Sequence, residues 1–230
     1  MRFTKVLVIA LSLFLPTVIS AQNVVVELFT SQGCSSCPPA DALLQKLTGE
    51  DNVIVLGWHV DYWDYLGWKD VFSRHENTER QKGYRDRWNL RSLYTPQAVI
   101  HGEAQIVGSD ERKVRMYVEQ FLTVEPLLEI ESGTAGDFAD IRLTALASGL
   151  PAAELFLVKI IPETSSAIPR GENAGKTINY VNVVVDMMWL ANWNGRTRLT
   201  KRVEVDSSSK YVVIVQGKNF GPILGAEYLN

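Results

Sequence analysis

The sequence predicts an α/β domain followed by a small β-rich, sandwich-like domain, and three observations carry that prediction. From Asn23 to about Leu122, strand-like apolar runs alternate with helical ones, the pattern of a sheet whose parallel neighbours are covered by helices. After Thr123 strand-like runs succeed one another and helix signals are scarce, which at this spacing suggests a β-sandwich. Between the first strand and the first helix lie the chain's only two cysteines, in Cys34-Ser35-Ser36-Cys37. The expected division is 1–21 as a signal peptide, 22–124 as the α/β domain and 125–230 as the β-rich domain, with the boundary near Val124-Glu125-Pro126.

The leader comes first. Arg2 and Lys5 give a short basic start, residues 6–15 form an apolar run, and Pro16 breaks it. Val18-Ile19-Ser20-Ala21 then offers small residues for cleavage after Ser20 or Ala21, the three-part pattern of a secretory signal peptide. A membrane anchor fits less well, because about 20 apolar residues are needed to span a bilayer. No cysteine directly follows the apolar run to take a lipid, and no later stretch is long and apolar enough to span. The expectation is a periplasmic or secreted protein, with no membrane insertion once the leader is removed.

Residues 24–29 then read as a strand, 40–47 as an amphipathic helix entered through Pro38-Pro39, and 53–60 as a second strand. Prolines suit a first helical turn, where a missing N–H costs nothing. A helix-rich insertion is expected from about Lys69 to Trp88. Residues 98–101 and 105–107 read as strands, and 111–122 as a helix capped by Ser109-Asp110. Beyond it the expected strands are 127–131, 141–147, 155–161, 179–189, 197–205 and 211–216, with Asn194-Gly195 suited to the φ > 0 positions of a hairpin turn.

Composition is that of an ordinary globular protein, 46% hydrophobic and 21% charged. The net charge of −3 becomes −5 when Arg2 and Lys5 leave with the leader. That argues against nucleic acid or an anionic membrane as the main partner, since both reward a basic face. No low-complexity segment or internal repeat interrupts the chain.

Strand, Cys-x-x-Cys, helix N-terminus is the arrangement that a dithiol redox site needs. A helix N-terminus presents unsatisfied N–H groups and a partial positive charge, which stabilise a thiolate. Thiols so placed have pKa values lowered from roughly 8.5 into a range of about 3.5 to 7.5. Exported proteins often use cysteine pairs as cross-links. A bridge across two intervening residues removes little unfolded-state entropy, however, and a mature chain of about 200 residues does not need it. Half of a zinc site looks the same, but no second Cys-x-x-Cys completes it and only His59, His75 and His101 are available. Redox use is favoured.

A thioredoxin-like site needs a third element: a proline, usually cis, ahead of the strand beside the cysteines. It keeps metals off the dithiol and exposes backbone to an incoming thiol or peptide. Thr95-Pro96, just before the strand pair at 98–107, is the candidate. The alternative is an ordinary proline at a strand entrance.

Four blocks give a more specific resemblance. They are Phe29-Thr30-Ser31-Gln32-Gly33-Cys34-Ser35-Ser36-Cys37-Pro38-Pro39-Ala40-Asp41, then His59-Val60-Asp61-Tyr62-Trp63-Asp64-Tyr65-Leu66-Gly67-Trp68-Lys69-Asp70, then Tyr94-Thr95-Pro96-Gln97, and Arg170-Gly171-Glu172-Asn173-Ala174-Gly175-Lys176. Together they resemble the bacterial secreted family called domain of unknown function 1223, across essentially the whole mature chain. The resemblance implies a thioredoxin-like N-terminal domain with an appended β-rich domain. It implies no reaction, and a fold alone would not supply one.

Within the thioredoxin-like reading, Cys34 is the attacking thiolate and Cys37, one turn inward, resolves the mixed disulfide. The hydroxyls of Ser35 and Ser36 can donate to a thiolate, which favours the reduced form. Glu27, if it points inward, takes the proton of Cys37 as a buried carboxylate; the other reading puts it on the opposite face of the pleat. Trp58, Tyr62, Trp63, Tyr65 and Trp68 make an aromatic loop. The loop is expected to wall a groove for an extended peptide or apolar ligand, with Tyr62 and Trp63, together with Thr95, as substrate contacts, against the alternative that the loop simply packs inward. His59 and Asp61 end the second strand, where ligands of open α/β sheets bind. His59 either tunes Cys34, joins the cysteines around copper or zinc, or is hydrogen-bonded in its loop. Arg74, Arg80, Lys82, Arg85, Arg87 and Arg91 read as a solvated, ion-paired helix face.

The expected function is an exported thiol–disulfide oxidoreductase, with no cofactor and no resident metal, whose partner is a protein or small-molecule thiol or disulfide. The alternative is a binding module or copper carrier in which the cysteines are ligands or a fixed disulfide. The sequence leaves open the oligomeric state and the direction of exchange.

Overall fold

A computed structural model describes residues 22–229; the expected leader lies outside the described residues. Strand β1 (Val24–Thr30) is buried at all seven positions, and so is β2 (Val53–His59) beyond helix α1 (Pro38–Leu47). Strands apolar throughout are what a parallel pair covered on both faces requires, and β1 and β2 run parallel, from Val24 opposite Val53 to Thr30 opposite His59. On one face, Val24, Val26 and Leu28 pack against Ala40, Leu43, Leu44 and Leu47 of α1. On the other, Val25, Phe29, Ile54, Leu56 and Trp58 pack against Tyr84 of helix α2 (His75–Arg87).

The short strands β3 (Gln97–Ile100) and β4 (Ala104–Val107) extend this sheet beyond β1, antiparallel to each neighbour. Helix α3 (Glu111–Leu122) starts where its cap predicts: the Asp110 side chain accepts from the Lys113 N–H at 3.1 Å. It adds Val114 and Val118 to the α1 side of the core.

The second half of the chain supplies β5 (Leu128–Ala135), β6 (Phe138–Ala145), β7 (Ala153–Ala167), β8 (Thr177–Trp193), β9 (Leu199–Glu204), β10 (Lys210–Gly217) and β11 (Ile223–Tyr228). β5, β6 and β9 form a three-stranded sheet. Its Leu128, Ile141 and Leu143 share a second core with Leu155, Leu157, Trp193, Val213 and Val215. The other four strands join the first half in one eight-stranded mixed sheet, ordered β11-β10-β7-β8-β2-β1-β3-β4.

This corrects the expected fold class. The described residues are mostly β, one eight-stranded sheet and one three-stranded sheet with three short helices, and not a thioredoxin-like α/β domain with a helical insertion and an appended β-rich domain. The expected helix-rich insertion is the single 13-residue helix α2, preceded by turns. In those turns the carboxylate of Asp64 accepts from the Asp70 N–H and the Ser73 hydroxyl, and that of Asp70 accepts from the Phe72 N–H. Side chains that satisfy nearby N–H groups compete with helix, as short polar residues do.

The strands from both halves meet at β2 and β8, which run parallel with Gly57 opposite Val183. One local device marks this seam, at Asn182. Asn182 takes a left-handed φ of 44°, which asparagine tolerates better than most residues. Its side-chain amide donates to the Val55 carbonyl and to the Tyr228 hydroxyl, both at 2.9 Å. Asn194-Gly195 does turn the chain, with Gly195 at φ 71°, but it passes from one sheet to the other, because β8 pairs with β7 and β9 with β6.

Asn182→Ala removes both bonds, leaves the buried Val55 carbonyl without that donor and keeps the unfavourable φ. It is expected to lower unfolding free energy by about 2 kcal/mol, read as a lower urea midpoint at unchanged slope.

Candidate functional site

Two tight turns carry the chain from β1 into α1: the Cys34 N–H donates to Ser31 O at 3.1 Å, and the Cys37 N–H to Cys34 O at 3.2 Å. Cys37 is the N-cap of α1, and Pro38 and Pro39 fill the next two positions. The two cysteines are joined by a disulfide. Ser36 Oγ lies 3.4 Å from Cys34 Sγ, where a hydroxyl can donate to a thiolate, and 3.5 Å from the Thr95 carbonyl oxygen.

The Thr95–Pro96 bond is cis. Pro96 sits with Leu28 and Ala40 around Gly108, close to the first turn of α1. Trp63 packs over Gly33, where a Cβ would stand 3.1 Å from Trp63 Cβ, and its indole N–H donates to Thr95 Oγ1 at 2.8 Å. Tyr62 donates from its hydroxyl to Gln81 Oε1 at 3.1 Å, and Gln81 in turn donates to the Tyr94 carbonyl. The structure thus gathers Cys34, Cys37, Thr95, Pro96, Trp63 and Tyr62. Of the aromatic loop, Trp58 is core and Tyr65 is exposed, while Tyr62 and Trp63 are half-buried and pinned.

Glu27 is not gathered with them. It projects to the α2 face of β1, away from α1, and its carboxylate accepts from Arg80 Nε at 2.6 Å and from the Tyr84 hydroxyl. The Arg80 guanidinium also donates to Gln216 and lies 4.9 Å from the Trp58 ring centroid. Arg80 is accordingly a buried counter-ion, not part of a solvated helix face. A cavity of about 540 Å³ opens on this same side, lined by Trp58, Phe156, Met187, Trp189 and Phe220, and it contains none of the gathered residues.

A different carboxylate lies on the cysteine side. Asp41 is four residues after Cys37, hence on the same helix face, and both are buried. One oxygen of Asp41 accepts from the Thr30 hydroxyl at 2.8 Å, while Oδ2 has no partner among the described residues. His59 is near enough to act on Asp41 electrostatically. Its Nδ1 lies 2.7 Å from Asp70 Oδ2, which also accepts from the Gln32 N–H at 2.8 Å. A carboxylate oxygen serving two such contacts is the acceptor, so His59 Nδ1 donates and Nε2 is left over, without a partner. The ring of Tyr180, from β8, stands edge-on to His59 at 4.7 Å, and its buried hydroxyl is also unpartnered.

Burial pushes the Asp41 carboxyl up to about 7; His59 and Thr30 oppose the rise and Asp70 adds to it. The same burial raises Tyr180, and the negative charges of Asp41 and Asp70 raise it further. Asp61 is held below its usual range by hydrogen bonds from Thr78 and His75 that outweigh partial burial. Among the described residues no group of three or more His, Cys, Asp or Glu side chains is disposed to hold a metal ion.

The β7–β8 connection covers the site. The side-chain amide of Asn173, itself wholly buried, donates to Gln32 O at 2.9 Å and to Cys34 O at 2.8 Å. Gly171, at φ 77°, packs on Trp68. With this strap in place Cys34 is 1% exposed and Cys37 fully buried, although Ser35 and Ser36 between them are exposed.

Sequence reasoning did not single out Asp41, Asp70, Tyr180 or Asn173 as site residues. Asp41 carried a signal, a charged residue in the 37–41–44 line of a helix whose inward face is otherwise apolar. Asn173 reaches Cys34 from the β7–β8 connection and Tyr180 reaches His59 from β8, contacts set by the pairing of distant strands.

The family profile described as "Protein of unknown function (DUF1223)" matches residues 25–216. Among solved structures, the crystal structure of protein AGR_C_4864 from Agrobacterium tumefaciens is similar at 32% identity and a TM-score of 0.78, over 91% of this chain and 95% of that one. HBP35 of Porphyromonas gingivalis is similar at a TM-score of 0.65, over 90% of this chain and 74% of that one; at 16% identity this likeness concerns fold alone. A search of curated proteins returns no match.

Two outcomes follow from this geometry. A carboxyl held near 7 in the folded protein and near 3.8 when unfolded keeps a proton that the unfolded chain releases, so its contribution to stability falls as pH rises from about 4 to about 7. His101, held down to about 4 by burial, acts with opposite sign between about 4 and its ordinary 6.5 and masks the slope in the parent. The difference between Asp41→Asn and the parent is therefore the readout: it should grow in favour of the variant across that window, to about 4 kcal/mol by pH 8 in denaturant titrations. Asn173→Ala, which unlatches the strap, is expected to speed reduction of the disulfide by dithiothreitol about tenfold or more, the rate penalty that about 1.4 kcal/mol of closure imposes.

Proposed function

The chain belongs to the DUF1223 family, a membership that assigns no reaction, and from that premise we propose that it is an exported thiol–disulfide oxidoreductase working through Cys34 and Cys37. The observation that carries this reading is a disulfide at a helix N-terminus, beside the Thr95–Pro96 loop, with a buried carboxyl one helical turn on. An exported setting is supported by the basic, apolar and small-residue pattern of residues 1–21.

The chemistry balances without a cofactor. A partner thiolate attacks Cys34 Sγ, a bond forms between the two sulfurs, and the Cys34–Cys37 bond breaks with its electron pair on Cys37. A second partner thiolate then attacks the mixed disulfide and displaces Cys34, so two partner thiols become a disulfide and the protein gains two electrons and two protons. The reverse sequence reduces a partner disulfide. Cys34 is the exchanging sulfur because it precedes the helix, beside exposed Ser35 and Ser36, whereas Cys37 lies under the first turn. The Ser36 hydroxyl is placed to stabilise its thiolate. The backbone beside Pro96 and the pinned Trp63 ring form the rim that a partner would meet.

The test is the reduction potential of the pair by equilibration with glutathione, together with two single substitutions. A potential above about −200 mV assigns an oxidant or isomerase, and one near −270 mV a reductant. Cys34→Ser is expected to abolish exchange with thiol and disulfide substrates, whereas Cys37→Ser accumulates mixed disulfides on Cys34. A bond that resists reduction far below −300 mV would sink the proposal and leave the disulfide as a fixed structural element.

A further inference from the structure

Three buried polar atoms in one cluster, Asp41 Oδ2, His59 Nε2 and Tyr180 Oη, have no hydrogen-bond partner among the described residues. One such atom left unsatisfied costs about 1 to 3 kcal/mol. Three together on the cysteine side of the sheet call for a chemical reason. On the α2 face both carboxylate oxygens of Glu27 are occupied by Arg80 and Tyr84, and the Trp58 indole nitrogen is a lone buried atom without a partner among the described residues.

We propose that Asp41 is the group that exchanges a proton with Cys37. The inference rests on the disulfide-exchange reading above and adds the residue that handles its second sulfur. The geometry is that of one helical turn: Cys37 caps α1, Asp41 follows by four residues, and side chains so spaced lie about 5–6 Å apart at Cβ on one face. Cys37 is fully buried, so its proton cannot pass to bulk water directly, whereas the Cys34 side borders exposed serines. Asp41 has one oxygen fixed by Thr30 and the other uncommitted.

The step balances as follows. When a thiolate attacks Cys34 in the oxidised protein, Cys37 leaves with the sulfur electron pair, and the protonated Asp41 carboxyl supplies the proton that makes it a thiol. In the opposite direction the Asp41 carboxylate removes the Cys37 proton. The resulting thiolate then attacks Cys34 Sγ of a mixed disulfide, and the partner departs as a thiolate. The groups facing Asp41 are Thr30 from β1, His59 from β2, Asp70 from the turns before α2 and Tyr180 from β8. Of these, His59 favours the charged carboxylate, Asp70 opposes it and Thr30 donates to it. His59 is itself tied to Asp70, so Asp41 has no exclusive counter-ion. A carboxyl in that balance can change protonation during turnover, and Glu27 projects to the opposite, α2 face of β1.

The experiment titrates Cys37 alone, by the ultraviolet absorbance of its thiolate in the Cys34→Ser protein, with and without Asp41→Asn. If the two groups exchange a proton, each opposes the other's ionisation. The thiolate of the Cys34→Ser protein should then appear in two steps, and Asp41→Asn should merge them into one at lower pH, with at least a tenfold larger thiolate fraction at pH 8. Identical single-step curves in both proteins would overturn the inference. Should Asp41→Asn not fold, Thr30→Val removes the hydrogen bond to Asp41 at nearly constant volume and should move the lower step to higher pH; no movement would count against the proposal equally. A merely structural Asp41 would leave the Cys37 titration where it is. Because the thiolate is read directly, these curves stand whether or not wild-type protein exchanges disulfides, and failure of exchange with an intact two-step titration would count against the function and not against the pair.

Discussion

Where β8 lies along β2, two regions of the chain that are distant in sequence become one sheet, and that contact brings Tyr180 and Asn173 to the rest of the site. The backbone pairing there is slight, with Gly57 opposite Val183, so specificity falls to side chains. Asn182 supplies it by turning its own backbone to φ 44° and donating across the seam to Val55 and on to Tyr228. Register then follows. With β8 fixed against β2, Tyr180 is set edge-on against His59, and the β7–β8 connection is delivered over Cys34. A slip of one residue would turn Tyr180 to the other face of the sheet.

The two faces of β1 treat buried charge in opposite ways, and magnitudes explain why. Glu27 and Arg80 form a buried pair with additional hydrogen bonds from Tyr84 and to Gln216. Breaking such a pair costs about 3–5 kcal/mol, because the abandoned charge remains in a poorly polarisable interior. This pair therefore organises the α2 face as a fixed structural element. Asp41 lacks a counter-ion of its own, since His59 is hydrogen-bonded to Asp70. Desolvation dominates, and the carboxyl responds by taking up a proton at a pH near 7 instead of paying the full penalty. Glu27 is paired on the α2 face, whereas Asp41 follows Cys37 by four residues on α1.

Local patterns in the sequence were read well where the cause is local. The helix at 111–122 is found at those bounds, because its N-cap is encoded in Asp110 and its inward face in Val114 and Val118. The gathering of Cys34, Cys37, Thr95, Pro96 and Trp63 follows from motifs that each lie within a few residues of a strand end. The failures are of longer range. Expecting a separate β-rich unit overlooked that β2 had a free edge and that β8, at 17 residues, is long enough to serve both β7 and that edge. For Glu27 the sequence leaves two faces of the pleat open, and alternation from Val26 and Leu28, which face α1, puts it on the α2 side. Nothing near Arg80 in sequence marks it as the partner that occupies Glu27, 53 residues away.

The enclosure of the disulfide bears on what kind of partner the site can meet. A cross-link spanning two residues adds little to the stability of a chain whose three largest buried clusters already hold dozens of apolar side chains, each worth about 1.5–3 kcal/mol when fully buried. Cover over such a bond is therefore not needed for stability, and it restrains access. The restraint is local: two hydrogen bonds from one asparagine and the packing of Gly171 on Trp68, on a connection where Gly171, Glu172, Ala174 and Gly175 are exposed. Bonds of that kind contribute about 1 kcal/mol each net of solvation, so the strap can open at modest cost without disturbing either sheet. A partner that contacts the strap, the pinned Trp63 ring and the backbone beside Pro96 together could offset that cost by its own binding, whereas a small thiol has no such compensation. The same geometry that hides the sulfurs thus favours a partner large enough to displace their cover.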